Sequence, residues 1–274
     1  MRSLKQLKDD LAFVNECRSL FEVIQQTALS QLHWYEERSK AFQPMSRIIQ
    51  ERCLPMLPAE AATHPLLSGG KQGSLVMVFT ADEGLVGTLY TDVVRQALSH
   101  ATEPSHWIAL GERGARLLTD RGVMPQRLAM PSDDTSMAAF WHVSQRVVRQ
   151  MLRDGLRTAW VVFPQFVSKT SQVATAKQLI PLRINANQAL EDLVIEPSVE
   201  RVVERLIQLW VWYSLIEAFW SSRLAELAAR ALHLEEAIDE LNQRAKRAHR
   251  EFFKVMHERA DVMVRETCLV KRWR

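Results

Sequence analysis

Glycine and proline are unevenly distributed along this chain, and their distribution constrains its fold more than any other feature. All nine glycines lie between Gly69 and Gly155, and all ten prolines lie between Pro44 and Pro197. Proline interrupts helices because it has no amide proton, and glycine destabilises them because ordering it costs more backbone entropy. We therefore expect long, uninterrupted helices at both ends of the chain and a different kind of structure between them.

The C-terminal stretch from Ser198 to Arg274 contains neither glycine nor proline. As one helix it would span on the order of 110 Å at 1.5 Å per residue, which is too long for a compact domain. Within it, nearly all residues in a row that alternates steps of four and three are apolar: Trp220, Leu224, Leu227, Ala231, Leu234, Ile238, Leu241, Ala245, Ala248, Phe252 and Val255. This 3.5-residue period is typical of a coiled-coil seam, the row of side chains that faces a partner helix.

The N-terminal stretch carries a weaker row with the same period. Its members are Leu4, Leu7, Leu11, Val14, Arg18, Phe21, Gln25, Ala28, Leu32 and Tyr35, so two polar residues interrupt it. About 60 Å of helix can form before Pro44, enough to pair with part of the C-terminal helix. The economical prediction is that the two ends of the chain pair with each other.

The middle of the chain reads as strands that alternate with helices. Short apolar runs occupy 75–79, 106–111, 158–163 and 178–182, and helical segments follow Thr88, Glu112 and Thr135. The predicted fold class is therefore α/β, with a Rossmann-like domain inserted between long N- and C-terminal helices that form an antiparallel coiled coil. We place the N-terminal helix at 1–58, a connector at 59–72, the α/β domain at 73–197 and the C-terminal helix at 198–274.

Charge, cysteine usage and hydropathy exclude several classes of protein. The formal net charge is only +3, from 35 basic and 32 acidic side chains, so we expect no nucleic-acid partner. Cys17, Cys53 and Cys268 are far apart and form no CxxC pair, which argues against a disulfide framework and indicates a reducing compartment. No signal-peptide pattern and no uncharged run near 18 residues occur, so we expect a chain that is neither exported nor membrane-spanning.

The stretch TADEGLVGTL at 80–89 follows an apolar run and precedes a helix, as phosphate-binding loops do. Its two glycines, Gly84 and Gly87, are three residues apart and no lysine follows, so neither the P-loop nor the GxGxxG pattern is met. Asp82 and Glu83 would also repel a polyphosphate unless a metal intervened. We interpret these glycines as the requirement of a tight turn from strand to helix.

Two further motifs are incomplete. GERG at 111–114 is a second junction between a strand and a helix and fails the same test. His257 and Glu258 begin an HExxH pattern, but its fifth residue is Asp261 rather than histidine. The sequence therefore predicts no catalytic residue, no cofactor and no metal ligand.

Five segments of the chain match, in the same order, the motifs of one known family. SLKQLKDDLAFV at 3–14 and SRLAELAARALHLEEAIDELNQRAKRAHRE at 222–251 lie in the terminal helices. FTADEGLVGTLYTDVVR at 79–95 is similar to a strand followed by S/T-D-x-GLCGGLN, the most diagnostic segment of that family. WIALGERGARLLTDRG at 107–122 and SKTSQVATAKQLIPL at 168–182 complete the series. Together they resemble the gamma subunit of the F-type ATP synthases.

The resemblance implies a non-catalytic rotor that couples ion translocation to ATP synthesis or hydrolysis. Its implied partners are the catalytic alpha/beta hexamer, the epsilon subunit and the membrane ring of c subunits, at the cytoplasmic face of the plasma membrane. The residues at which we expect polar contacts to the hexamer are Glu22, Gln25, Arg247, Arg250 and Arg259. The residues that correspond to the diagnostic loop are Asp82, Gly84, Leu85 and Gly87.

Departures from the family pattern occur in that loop, in both terminal helices and at the charged C-terminal end. Val86 replaces the usual cysteine, Thr88 the second glycine of the pair and Tyr90 the asparagine. They suggest a divergent branch, such as the alternative bacterial F-type pumps of the N type, or a paralogue with altered coupling. Two alternatives from other classes stay open at this point: a coiled-coil scaffold outside the ATPase, and a small Rossmann-like enzyme with a helical arm for oligomerisation.

Overall fold

The computed structural model describes residues 4–39, 43–82, 86–133, 135–182 and 195–272. The helices are α1 (Leu4–Ser39), α2 (Gln43–Ile48), α3 (Pro65–Ser68), α4 (Leu89–Ser99), α5 (Glu112–Thr119), α6 (Ser136–Asp154) and α7 (Val199–Arg272). The strands are β1 (Gln72–Phe79), β2 (Ser105–Leu110), β3 (Gln126–Leu128), β4 (Leu156–Ser168) and β5 (Ser171–Ile180). Short π and 3₁₀ turns lie between α2 and α3.

The strands of the described residues form one mixed sheet in the order β3-β2-β1-β4-β5. β1 is central and pairs in parallel with β2 and β4, and β2 pairs in parallel with β3. β4 and β5 form an antiparallel hairpin at the other edge. The parallel part, with helices in its crossovers, is the arrangement of Rossmann-like domains, so the predicted fold class is confirmed.

Alternate residues of β1 point to opposite faces of the sheet, and both faces are buried. Met77 and Phe79 belong to a large apolar cluster with residues of α6 and α7. Val76 and Val78 belong to a second cluster with residues of α4 and α5. Burial on both faces explains why β1 reads as a continuous apolar run rather than as an alternating one.

The contacts of the chain divide it into two compact units, Met1–Leu29 with Ala231–Arg274, and Ser30–Arg230. The first, which we call the coiled-coil unit, consists of helical segments of α1 and α7. The second, which we call the sheet unit, contains the sheet and the helices that cover it. The domain boundaries that we placed after residues 58, 72 and 197 stay predictions.

In the first unit, the two predicted seams coincide with the burial pattern. The buried members of the row are Leu7, Leu11, Val14 and Ala28 on α1, and Ala231, Leu234 and Ala245 on α7. The other members of both rows in this unit are at least half-buried, whereas most residues between them are exposed. The seam therefore supplies the apolar contact that holds the two helices together.

The two polar interruptions of the α1 seam form hydrogen bonds to the partner helix. Arg18 Nη1 donates to Asn242 Oδ1 at 3.4 Å, and Gln25 Nε2 donates to the carbonyl oxygen of Ala231 at 3.4 Å. A higher residue number on α1 thus pairs with a lower one on α7, so the helices are antiparallel. Polar residues in a seam fix the register of a coiled coil at some cost in stability, and these two bonds provide that register.

Most of the predicted strands and helix starts are confirmed. The four apolar runs fall in or against β1, β2, β4 and β5, and α4, α5 and α6 begin where the sequence indicated. The strand β3 was not predicted, because its three residues are exposed or half-buried and contain a single apolar side chain.

The junction between β2 and α5 requires glycine. Gly111 has a φ of 90°, and a Cβ atom there would lie 2.2 Å from the carbonyl oxygen of Thr80. Gly122 has a similar φ of 79°, but a Cβ atom there would meet nothing within 4 Å. The two positions share the backbone strain that a side chain would cause and differ in the steric contact.

We expect Gly111→Ala to lower the free energy of unfolding by about 2 to 4 kcal/mol, because strain and a clash with backbone add. Gly122→Ala serves as the matched control and should cost about 1 kcal/mol, since only the strain applies. Urea unfolding followed by tryptophan fluorescence measures both. Equal losses in the two variants would contradict the close approach of Gly111 to Thr80.

Candidate functional site

The coiled-coil unit carries the residues that we predicted to contact a stator. Arg247, Arg250 and Arg259 are exposed on α7, and within the described part of the chain none of them forms an ion pair. An arginine without a carboxylate partner keeps its five donors available for another protein. These three residues therefore have the exposure that the predicted role requires.

The two predicted contact residues on α1 already have partners within the unit. Glu22 is exposed, and its Oε1 lies 3.6 Å from Nε of Arg18, which is one helical turn away. Gln25 is half-buried and donates to Ala231. Glu22 can thus contact a second protein through its free oxygen, while the Gln25 amide is engaged in the seam.

Exposed apolar side chains accompany these polar residues and were not singled out from the sequence. On α1, Phe13, Leu20 and Val23 are each more than half exposed, and on α7 the same holds for Val262, Met263 and Val264. Large apolar side chains that lie outside the seam are available for contact with another protein. The sequence could have indicated these residues, because they lie outside the seam row, at positions where a coiled coil in water usually has polar residues.

Polar side chains in the segment after β1 form hydrogen bonds to backbone groups of the neighbouring junction between β2 and α5. Asp82 Oδ1 accepts from the backbone N–H of Glu112 at 2.8 Å and so caps α5 from the neighbouring junction. Thr80 Oγ1 accepts from the N–H of Gly114 at 2.8 Å and donates to the carbonyl oxygen of Leu110 at 3.0 Å. The amides that a phosphate would use at the start of α5 are therefore partly taken by Asp82 and Thr80.

The remaining residues of the predicted diagnostic loop are only partly described. Gly84 and Leu85 lie outside the described residues. Gly87 has a φ of 57°, in the left-handed region that glycine adopts without strain. The interpretation of a glycine that serves a tight turn before α4 therefore applies at Gly87.

Two of the departures in this loop are buried against α7. Val86 and Tyr90 form one apolar cluster with Ala225 and Ala229, and both are less than 5% exposed. Burial raises the pKa of Tyr90 above its ordinary value, so the phenol is neutral at physiological pH. Thr88, the third departure, is exposed and its hydroxyl donates to Asp92 Oδ2 at 3.3 Å. Small residues on α7 thus make room for the larger side chains of the loop.

A polar cavity of about 370 Å³ lies beside this loop and contains charges of both signs. Its lining residues are Gln31, Tyr35, Ala81, Asp82, Arg223, Glu226, Leu227 and Arg230. The two carboxylates balance the two guanidinium groups, so the cavity exerts no net attraction on an anion. It does not have the charge that a nucleotide site needs.

Glu226 is the most buried of these charged groups. It is 6% exposed. Its Oε1 lies 2.6 Å from Arg230 Nη2, and its Oε2 lies 3.5 Å from Arg223 Nη1. A buried carboxylate is tolerated only with such partners. Beside it, Tyr35 donates to Asp133 Oδ2 at 2.5 Å, and burial together with this bond raises the pKa of Tyr35. The Glu226 pairs therefore lie within α7, and the Tyr35 bond connects α1 to the segment before α6.

Neither a metal cluster nor a membrane helix is found in the part of the chain that the structure describes. No three His, Cys, Asp or Glu side chains there are close enough to hold a metal ion. None of the helices described combines the length and the apolar content that a membrane crossing requires.

We expect Ala225→Leu to lower the free energy of unfolding by about 1 to 3 kcal/mol, because leucine overpacks the cluster around Tyr90. Ala260→Leu is the matched control, since residue 260 is exposed on the same helix and should change stability by less than about 0.5 kcal/mol. Adding Tyr90→Leu to Ala225→Leu should recover part of the loss, because the smaller side chain vacates volume. Thermal unfolding measures all three, and strictly additive losses would show that residues 90 and 225 do not share a cluster.

Comparison with known proteins agrees with this arrangement. A family model described as "ATP synthase" matches residues 3–255. The ATP synthase gamma chain of Desulfitobacterium hafniense is 23% identical over 254 residues, with 90% of each chain covered. This similarity extends over both helical ends and the sheet domain.

Solved structures with the same fold come from Euglena gracilis mitochondrial ATP synthase. A chain of the structure titled as its rotor, in rotational state 1, aligns with a TM-score of 0.69 and 15% identity, covering 93% of this chain and 98% of that one. A chain of its OSCP/F1/c-ring structure, in rotational state 3, aligns with a TM-score of 0.71 and 16% identity, covering 96% and 91%. Because the family model matches residues 3–255 and the relatives found by sequence are gamma chains, this chain belongs to the ATP synthase gamma-chain family.

Proposed function

We propose that this chain is the central-stalk rotor subunit of an F-type ATP synthase or ATPase. In this role it couples ion translocation through the membrane sector to ATP synthesis or hydrolysis in the catalytic hexamer. The observation that carries the proposal is the antiparallel helix pair of the first unit, with its apolar seam, its two cross-helix hydrogen bonds and an exposed stretch of α7 at 256–265.

The seam explains why such a helix pair can transmit torque. Two helices that bury a continuous apolar row resist bending and twisting more than one helix does, because deformation would expose that row to water. The bonds of Arg18 and Gln25 oppose sliding of one helix along the other. An asymmetric rod that turns inside a ring of catalytic subunits presents a different face to each of them, which is allostery by rigid-body rotation.

On this proposal the chain is not itself catalytic. The loop that most resembles a phosphate site uses its carboxylate, Asp82, to cap α5, and it offers no lysine. The polar cavity beside it is balanced in charge. ATP is then synthesised or hydrolysed on other subunits, and the rotation of this chain sets the order in which those subunits act.

The residues that would meet the catalytic subunits lie on exposed surfaces of the helix pair. Arg247, Arg250 and Arg259 provide charge, and Phe253 and Met256 lie among them as exposed apolar groups. Glu22 adds an exposed carboxylate on α1, and Gln25 supports the seam behind it. A surface that mixes charged with apolar groups suits a bearing, since it permits contact without a deep, fixed binding site.

The partners proposed for the chain are the alpha/beta hexamer, the epsilon subunit and the c ring. The similar solved structures are the rotor and the OSCP/F1/c-ring assembly of a mitochondrial ATP synthase. We place the chain as a peripheral subunit at the cytoplasmic face of the plasma membrane. The departures from the family pattern at Val86, Thr88 and Tyr90 fit a divergent branch of the family. Two of these residues, Val86 and Tyr90, pack in one apolar cluster with alanines of α7.

The test is co-purification with the catalytic subunits, followed by ATPase assay of the recovered complex. We expect the tagged chain to recover alpha and beta subunits, and Arg247→Ala/Arg250→Ala to lower ATP turnover about tenfold while assembly persists. A charge-assisted hydrogen bond contributes about 1.5 kcal/mol or more, and 1.4 kcal/mol corresponds to a factor of ten in rate.

The matched control is Arg95→Ala/Arg121→Ala, which removes the same charge from the surface of the sheet unit. This variant should retain the turnover of the wild type. A wild-type chain that never recovers alpha and beta subunits under gentle conditions would contradict the proposed function. Equal losses of turnover in the two double variants would contradict only the contact role of Arg247 and Arg250.

A further inference from the structure

The solvent face of α6 carries a row of basic side chains. His142, Arg146, Arg149 and Arg153 follow one another at steps of four, three and four residues, and all four are exposed. Residues at this spacing lie along one face of a helix. The opposite face of α6, with Phe140, belongs to the apolar core, so the row is fixed to the sheet unit rather than held on a mobile segment.

This basic row borders two adjoining grooves. One, of about 830 Å³, lies between β3 and α6 and is lined by Gln126, Leu128, His142, Val143, Arg146, Arg149, Gln150 and Arg153. The other, of about 500 Å³, lies between α6 and the start of α7 and includes Arg149, Arg201, Glu204 and Arg205. Arg149 lines both grooves, so together they form one continuous surface, which we call the arginine groove.

The arginine groove holds as much net charge as the whole chain. Five arginines line it, against Glu204 and the neighbouring Asp154, which leaves +3. The chain as a whole has 35 basic and 32 acidic side chains, which also leaves +3. The groove is therefore a place where basic side chains clearly outnumber acidic ones, and its local potential is positive.

Most of the guanidinium groups in the arginine groove have no internal carboxylate partner. Among the described residues, Arg146, Arg149, Arg201 and Arg205 form no ion pair. Arg205 instead stacks on Trp141, with 4.6 Å to the ring centroid. Asp154 is occupied by Arg153, whose hydrogen bond holds the pKa of that carboxyl below its usual range. Four cations thus face solvent in fixed positions without neutralisation.

We propose that the arginine groove docks an acidic polypeptide segment of a neighbouring subunit of the same complex. The proposal deepens the proposed function by naming the chemistry of one rotor partner. Arginine binds carboxylates through two parallel hydrogen bonds, so a row of arginines reads a row of aspartate or glutamate side chains. Charge complementarity of this kind sets partner choice and the rate of association.

The shape of the arginine groove favours a polypeptide over a membrane surface. It is concave, whereas a bilayer presents a broad flat face that would touch only its rim. Its floor includes β3, the edge strand of the sheet, whose outer backbone groups can pair with an extended segment. A strand laid there would place alternate side chains on the face of the sheet that α6 covers.

The first experiment uses the assembled complex. A photoreactive p-benzoylphenylalanine at Gln150, on the wall of the first groove, is irradiated and the cross-linked peptide is sequenced by mass spectrometry. We expect a peptide rich in Asp and Glu from another subunit, and its yield should fall at least tenfold in Arg146→Glu/Arg149→Glu. Cross-links to lipid alone, to a peptide without acidic residues, or to nothing would overturn the proposal.

The second experiment uses the isolated chain and a stated probe. The probe is a fluorescein-labelled peptide of six Glu-Val repeats, and the same peptide with Gln for Glu is its control. We expect Arg146→Glu/Arg149→Glu to weaken binding of the Glu peptide about tenfold at low salt, and Arg146→Gln/Arg149→Gln to weaken it less. The matched control, Arg95→Glu/Arg121→Glu, reverses two charges on the α4 and α5 side of the sheet and should leave the affinity within twofold.

These outcomes separate the proposal from its rivals and from the proposed function. Equal losses in the two Glu double variants would mean that total charge alone attracts the peptide, and this would overturn the proposal. Stronger binding to phosphatidylglycerol vesicles than to the Glu peptide, with the same dependence on Arg146 and Arg149, would assign the groove to a membrane surface instead. The peptide assay needs no other subunit, so failure of the chain to recover alpha and beta subunits leaves its result interpretable.

Discussion

The apolar seam between α1 and α7 is the interaction on which the rest of the structure depends. Most of the stability of a helix in a protein comes from the packing of the face that it buries, and this holds for the 74 residues of α7. In the coiled-coil unit that face is the seam, and in the sheet unit it is the apolar cluster with β1 and α6. One continuous helix, uninterrupted by glycine or proline, therefore serves two different kinds of packing.

The polar residues in the seam show how specificity is added to this packing. Apolar residues alone would allow α1 to slide by a heptad with little loss, since each step presents a similar row. Arg18 and Gln25 forbid that shift, because a displaced register would leave their polar groups without Asn242 and the Ala231 carbonyl. In the sheet unit the same principle operates at Glu226, whose carboxylate is stable only where Arg223 and Arg230 meet it.

The sequence predicted this fold well where the signal is periodic and local. The heptad rows gave the seams residue by residue, and the continuous apolar run at 75–79 gave the central strand, because both patterns follow directly from helix and strand geometry. The role of Asp82 could not be predicted, since its partner, the amide of Glu112, lies thirty residues away and is brought near only by the parallel pairing of β1 with β2. The strand β3 was missed because an edge strand of three residues buries too little to need an apolar pattern.

The net charge of the chain does not show where its charged side chains lie on the folded surface. A net charge of +3 on 274 residues is ordinary, and by itself it excludes a strong field. An excess of three positive charges within one groove acts more strongly than the same excess spread over the chain, because the potential near a surface depends on the charges within about one Debye length, roughly 8 Å at physiological salt. The spacing of His142, Arg146, Arg149 and Arg153 was visible in the sequence and placed them on one helix face. What the sequence could not show is that Arg201 and Arg205, fifty residues later, border the same groove. Local concentration of charge is thus a property of the fold, and it is on the folded surface that a partner of this protein must be sought.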